Sequence, residues 1–316
     1  MTPAEAPASP PMRPSRRDQL QDKVVIARYK GASGVAKVLP GPMANLVATG
    51  LGATLSVSMR DTRVVVARHL QRINPNLKGI ALRRATQQAF DSYARYYVES
   101  ARLPSLSTET VERGFTVDGF EHIEDALDQG NGAILALPHL GGWEWGGRWL
   151  AQRVKGVTVV VEAIHPPELF EWFANLRREL GMNVVGLGPS AASEVLRALR
   201  NNEVVCLLCD RDIQRGSGME VEFFGERTTM PAGPATMALR SGAPILPSAV
   251  YFTERANGHL GVIRPPLPTE RRGKLRDDVT RITQLLAYEL EVLIGRAPEQ
   301  WHCFQPNWPS DPGYSE

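Results

Sequence analysis

Cysteine is scarce in this sequence: Cys206, Cys209 and Cys303 are the three among 316 residues. An odd and sparse set excludes a disulfide framework and suits a reducing compartment. Cys206 and Cys209 do form a C-x-x-C, but inside "VVCLLCD", which reads as a buried strand. Residues three apart on a strand face opposite sides, so the two thiols are expected in the core, neither paired nor sharing a metal. An excess of one charge is lacking too. The 36 basic and 34 acidic residues leave a net +2, which gives no concentrated basic surface and no expected nucleic-acid partner. G-x-S-x-G is absent, which removes a serine on a nucleophile elbow. H-E-x-x-H is absent as well, and no metal is expected.

Long apolar runs are also missing. The start, "MTPAEAPASPPMRPSRRDQL", has no apolar core and is not a secretory signal. Its Pro, Ala and Ser, with Arg13, Arg16 and Arg17, read as a disordered, weakly basic tail over residues 1–20. The longest uncharged window, Leu39 to Met59, has the length of a membrane span, but Pro, Gly, Ser, Thr and Asn fill nearly half of it. It reads as a buried or interfacial helix pair rather than a spanning helix. The expected setting is cytoplasmic, with a peripheral membrane contact.

What is present is a globular composition, 43% hydrophobic and 22% charged, enough to bury a sound core. Residues 21–110 read as mainly helical. In "RRATQQAFDSYARYYVESARL", Ala89, Phe90, Tyr93, Tyr96, Tyr97 and Ala101 fall at spacings that cover one broad helical face. From residue 111 to 316 strands and helices alternate. Strands "FTVDG", "GAILAL", "VTVVVEA", "MNVVGL" and "VVCLLC" are separated by helix-like segments. A strand-rich part over 219–265 and a long closing helix over 274–295 follow. Near-continuous Val/Ile/Leu strands between helices predict an α/β fold, with a mostly parallel central sheet flanked by helices and an N-terminal helical segment. Residues 21–316 are expected to form a single domain.

Ligands in such folds sit outside the carboxyl ends of the strands. His139 follows "GAILALP", Glu162 ends "VTVVVE", and Asp210 ends "VVCLLCD". Three groups able to carry protons therefore lie on one side of the predicted sheet. Glu144 stands five residues after His139, and Pro138, Gly141 and Gly142 supply a bend between them. With a helix starting near Trp143, Glu144 would lie in its first turn and could reach back to His139. A His held by a carboxylate is a general base of fixed tautomer, here one that would deprotonate a bound alcohol. His165 reads as a loop residue, and His69, His122, His259 and His302 as structural. The tryptophans Trp143, Trp145, Trp172, Trp301 and Trp308 suit either a lipid interface or a half-buried core.

H-x-x-x-x-[DE] after an apolar strand resembles the hallmark of the glycerolipid and lipid A late acyltransferase superfamily. "SYARYYVESARLP", "ALPHLGGWEWGGRWL", "LRNNEVVCLLCDRD", "VEFFGERTTMPAGPATMALRSGAPILP" and "WHCFQPNW" together resemble the actinobacterial phosphatidylinositol mannoside acyltransferases, in family order, over about residues 85–310. The resemblance implies an acyl-CoA-dependent O-acyltransferase at the cytoplasmic face of the cell membrane. Acyl-CoA, palmitoyl-CoA by expectation, would be its co-substrate and mannosylated phosphatidylinositol its acceptor, with no cofactor. It implies that His139 is the catalytic base and Glu144 the second acid of the motif. Asp210 falls where the mannoside enzymes usually carry Glu, one methylene longer, so Asp210 and Glu144 both stand as possible partners of His139. Arg177 and Glu162 are implied near the polar parts of the substrates, with Arg211 beside them. Phe223, Phe224, Gly225, Pro231 and Gly233 are implied to line the acyl and acceptor site. A lipid A-like acceptor is the nearest alternative.

A more distant alternative is a nicotinamide dinucleotide-binding oxidoreductase. Gly186, Gly188 and Ala191 form G-x-G-x-x-A after a strand, and Asp210 lies about 20 residues on. Against it, Pro189 sits in the turn where backbone N–H groups would face a pyrophosphate.

Overall fold

The computed structural model describes residue 34 and residues 40–162, 167–212 and 218–314. The basic tail and His165 lie outside the described residues. Three helices come first, α1 (Gly41–Ser58), α2 (Arg60–Ile73) and α3 (Gly79–Arg102), then a short α4 (Thr108–Arg113). Residues 41–58 of the Leu39–Met59 window are thus one helix, α1, rather than a pair. Its small residues Ala44, Ala48, Gly52 and Ser56 recur every fourth position and are its buried ones. They let α1 lie close on α3: a Cβ on Gly52 would stand 2.7 Å from the Cα of Asp91. Its other face leaves Met43, Leu46, Val47 and Leu51 exposed. No helix among the described residues is long and apolar enough to cross a membrane.

The alternation read from the sequence then appears. β1 (Phe115–Asp118), α5 (Glu121–Asp128), β2 (Ala133–Leu137), α6 (Trp143–Ala151), β3 (Val157–Val161) and α7 (Pro167–Glu179) come first. β4 (Asn183–Gly186), α8 (Ala191–Arg200) and β5 (Val204–Leu208) follow. A hairpin of β6 (Met219–Phe223) and β7 (Glu226–Met230) precedes α9 (Gly233–Ser241), β8 (Ile245–Phe252), β9 (His259–Ile263) and α10 (Leu275–Arg296). Phe224 and Gly225 turn the hairpin with positive φ at both positions, 50° and 75°, as a two-residue type I′ turn requires.

The main sheet has seven strands in the order β1-β9-β8-β2-β5-β3-β4. The five from β8 to β4 are mutually parallel. β9 returns antiparallel to β8, and β1 runs parallel to β9 at the edge. Side-chain alternation divides the core between the two faces. Ile134, Ala136 and Val205 pack with α8, α9 and α10. Ala133, Leu135, Leu137 and Val204 pack with α5, α6 and α7 on the other side. Cys206 and Cys209 obey the same rule, each contributing to a different face. Burial pushes the Cys206 thiol up to about 12 and that of Cys209 well above its usual range, so both are inert core groups.

Candidate active site

β2 and β5 are neighbours with Leu137 opposite Leu208. Two residues further along each strand stand His139 and Asp210, so the strand register alone brings them face to face. Adjacent strands lie about 4.8 Å apart, a gap that a short acid can bridge. His139 Nδ1 is 2.6 Å from Asp210 Oδ1, and the His139 backbone N–H donates to Oδ2 at 3.1 Å. The Trp301 indole also donates to Oδ2, at 2.6 Å. Asp210 is wholly buried. Burial raises its carboxyl, but the His139 charge, the His139 bond and the Trp301 bond outweigh it and bring the group down to about 2. In the neutral ring, an ionised Asp210 accepting from Nδ1–H fixes the tautomer whose free lone pair is on Nε2, the form that a general base needs.

After His139 the chain must bend sharply beneath β8. Gly141 allows it, with φ +60° and no room for a side chain: a Cβ there would meet the Val250 carbonyl at 2.0 Å. α6 then begins at Trp143, as the sequence predicts. Glu144, however, does not reach back to His139. It is buried in the first turn of α6, where its Oε1 accepts from Arg177 at 2.5 Å and from the Tyr96 hydroxyl at 3.2 Å. Of the two carboxylates that the sequence offers to His139, Asp210 is the partner and Glu144 belongs to Arg177. Burial lowers Arg177, but Glu144 outweighs it and leaves the guanidinium above its usual value. Burial and Glu144 together lift the Tyr96 hydroxyl well above 10.

His139 opens into a cleft shared with Glu162, Arg177, Arg211, Tyr93, Tyr96, Tyr97, Trp143 and His302. Arg211 donates to the Gln305 side chain at 2.9 Å and lies 3.8 Å from Glu162. A second cavity, almost wholly apolar, runs between the sheet and α6. Trp143, Arg177, Val160, Val161 and Leu208 line both, so the apolar cavity adjoins the polar cleft beside His139.

The structure brings His139, Asp210, Glu162, Arg177 and Arg211 to this one place, with Glu144 behind Arg177. It does not bring Phe223, Phe224, Gly225, Pro231 or Gly233 to the lining of either cavity. Phe223 is buried against Trp308 and edge-on to Trp301, behind Asp210, and Gly225 is at the hairpin tip. Three participants escaped the sequence reading. Tyr96 was assigned only to a helical face and Trp301 only to the tryptophans, although both lie in blocks that carry the resemblance. Trp301, Trp308 and Trp145 are buried core residues rather than interface residues. His302, expected to be structural, lines the cleft, and burial with the nearby His139 lowers it to about 3. The block "WHCFQPNW" carried the signal for two of the three. The dinucleotide alternative fails here, because the carboxylate that it needs for a ribose is buried and bonded to His139 and Trp301.

The sequence profile of the bacterial lipid A biosynthesis acyltransferases matches residues 24–310. The phosphatidylinositol mannoside acyltransferase of Mycobacterium tuberculosis (strain ATCC 25618 / H37Rv) is 40% identical over 228 residues, covering 71% of this chain and 70% of that protein. The phosphatidylinositol mannoside acyltransferase of Mycolicibacterium smegmatis is 40% identical over 223 residues, 70% of this chain and 71% of that protein. The lipid A biosynthesis acyltransferase of Haemophilus influenzae is 25% identical over 185 residues, 58% of this chain and 55% of that protein. With a histidine–carboxylate pair at the junction of a polar cleft and an apolar cavity, and a profile matched over nearly its whole length, this chain is an acyltransferase and belongs to the bacterial lipid A biosynthesis acyltransferase family.

Proposed function

We propose that the protein transfers a long acyl chain from acyl-CoA to a mannose hydroxyl of a mannosylated phosphatidylinositol, with His139 as general base. The observation that carries this is the adjacency of two unlike compartments at His139. An apolar cavity fit for an acyl chain abuts a cleft with charged and aromatic walls fit for a sugar and its phosphate. The names of the two mycobacterial relatives supply the acceptor. In the reaction, His139 Nε2 takes the proton of the sugar hydroxyl as its oxygen attacks the thioester carbonyl carbon. The tetrahedral intermediate collapses with loss of the CoA thiolate, which regains a proton from the imidazolium. Arg177 stands at the junction, where positive charge favours the oxyanion. Glu162 and Arg211 face the sugar side of the same cleft. The exposed apolar residues of α1, with the exposed Arg60 at the start of α2, support a peripheral site on an anionic cytoplasmic membrane face.

The test is CoA release from palmitoyl-CoA by the purified protein, with mannosylated phosphatidylinositol, a lipid A precursor or buffer alone, and with His139→Ala alongside. Release that needs the mannoside and disappears in the variant is the expected result. Release with the lipid A precursor alone would reassign the acceptor. Equal release in buffer by both proteins would overturn the transferase with His139 as its base.

A further inference from the structure

The segment from Gln300 to Asn307 touches both halves of the His139–Asp210 pair. The Gly141 N–H donates to the Gln300 carbonyl at 2.9 Å, and the His302 N–H donates to the His139 carbonyl at 2.7 Å. The Asn307 side chain donates to the Asp210 carbonyl at 3.3 Å. At the centre is Trp301, whose indole N–H meets Asp210 Oδ2 at 2.6 Å. Its ring is buried, with His69 at 5.5 Å, Phe223 at 6.1 Å and Trp308 at 6.1 Å.

We propose that Trp301 is a positioning residue for the acyl transfer: its indole N–H pins the Asp210 carboxylate in one orientation and restrains the basicity of the His139–Asp210 pair. The kinetic half of its test rests on the function proposed above. The geometry gives each oxygen a distinct task. Oδ2 takes the Trp301 indole and the His139 main chain, and Oδ1 is left for the His139 ring. A packing role alone does not call for a nitrogen at this point of the ring, 2.6 Å from a buried charge. Bonds to ionised groups are among the stronger ones, and this one disperses the negative charge that would otherwise act on the imidazole. Without it, Asp210 would hold the His139 proton more tightly, and the base would be freed only at higher pH.

Among the described residues, the other charged and titratable groups near the pair are Arg211, Arg177, Glu162 and the phenols of Tyr93, Tyr96 and Tyr97 in the cleft, and Glu144 behind Arg177. His302, Cys209 and Cys303 are buried against the pair, and His69 and Asp311 lie behind Trp301. Trp301→Phe removes none of them, so a displaced pH profile would report the indole N–H.

The experiment is the pH dependence of kcat/KM for CoA release between pH 5 and 9, for the natural protein and Trp301→Phe. The expected result is an acid limb shifted upward by about 0.5–1 pH unit, with activity recovering at high pH. An unmoved limb, whatever the loss in kcat, would reduce Trp301 to packing and overturn the proposal. A second measurement needs neither the variant nor turnover. In the natural protein labelled with 15N, the Trp301 indole N–H is expected to resonate downfield, to be protected from solvent exchange and to shift as His139 titrates. An indole that exchanges freely, or ignores pH over that range, overturns the proposal. Because this reads the indole directly, it separates a failed role for Trp301 from a failed assignment of function.

Discussion

His139 Nδ1 and Asp210 Oδ1 lie 2.6 Å apart although 71 residues separate them in sequence. The parallel pairing of β2 with β5 sets that distance, and it makes the shorter acid sufficient. Asp210→Asn keeps the shape but presents an amide where the ring N–H needs an acceptor. The expected loss in kcat is about 10²–10⁴-fold with the fold intact. Asp210→Glu is expected to be worse than a conservative change. The site is wholly buried, and a further methylene in a packed interior costs about 1–3 kcal/mol. Paired measurements of CoA release and Tm check both. An Asn variant with near-natural turnover would remove Asp210 from the mechanism.

Glu144 illustrates a different role. Its side chain is 4% exposed and that of Arg177 is 13% exposed. Removing one partner leaves the other charge buried, which costs about 3–5 kcal/mol. Glu144→Ala is therefore expected to lower Tm more than His139→Ala does, because Asp210 keeps the Trp301 indole and a main-chain N–H when the His139 ring is removed. Denaturant unfolding of the two variants decides it. Equal stability would mean that the Arg177–Glu144 pair is not structural.

The element order was legible from periodicity because the central strands are apolar on both faces, and the C-x-x-C resolved correctly because strand alternation leaves no choice. The position of β1 was not legible. Its neighbour β9 lies more than a hundred residues away, and only the β8–β9 hairpin decides which way that edge runs. In the site, strand-end position identified His139, Glu162 and Asp210, since that rule needs only the fold class. The choice between Glu144 and Asp210 needed the strand register and the location of Arg177. Trp301 was hidden because nothing local distinguishes an indole aimed at a carboxylate from one that fills a core.

His302 is expected to make the protein labile to acid. Burial beside His139 depresses it to about 3, whereas an unfolded His titrates near 6.5. Between those values the unfolded chain binds the proton and the folded chain does not. The full stability is therefore present above about pH 6.5 and falls by about 1.4 kcal/mol per pH unit as the pH drops toward 3. His302→Gln, a neutral group of similar reach, should flatten that slope. Urea unfolding at several pH values from 7 to 4.5 measures it. An unchanged slope in the variant would assign the acid lability to another group.

The apolar cavity makes the sharpest prediction about substrate. It is lined from six adjacent strands, from Phe115 and Val117 on β1 to Val159 and Val161 on β3. Six strands about 4.8 Å apart span about 24 Å. A bilayer's hydrocarbon core, two chains deep, is about 30 Å thick, so one membrane-length chain needs about 15 Å. An acyl chain held along this lining from the cleft would point toward β1, the edge strand. Val117 is half-buried on the edge strand at the far end, where a large side chain shortens the space without disturbing the central strands. In Val117→Trp, kcat/KM for palmitoyl-CoA is expected to fall by about tenfold or more while that for octanoyl-CoA stays within about threefold. Competition between the two thioesters in one reaction measures this ratio directly. A parallel loss for both would place the acyl chain elsewhere, because only a chain long enough to reach β1 can meet the new indole.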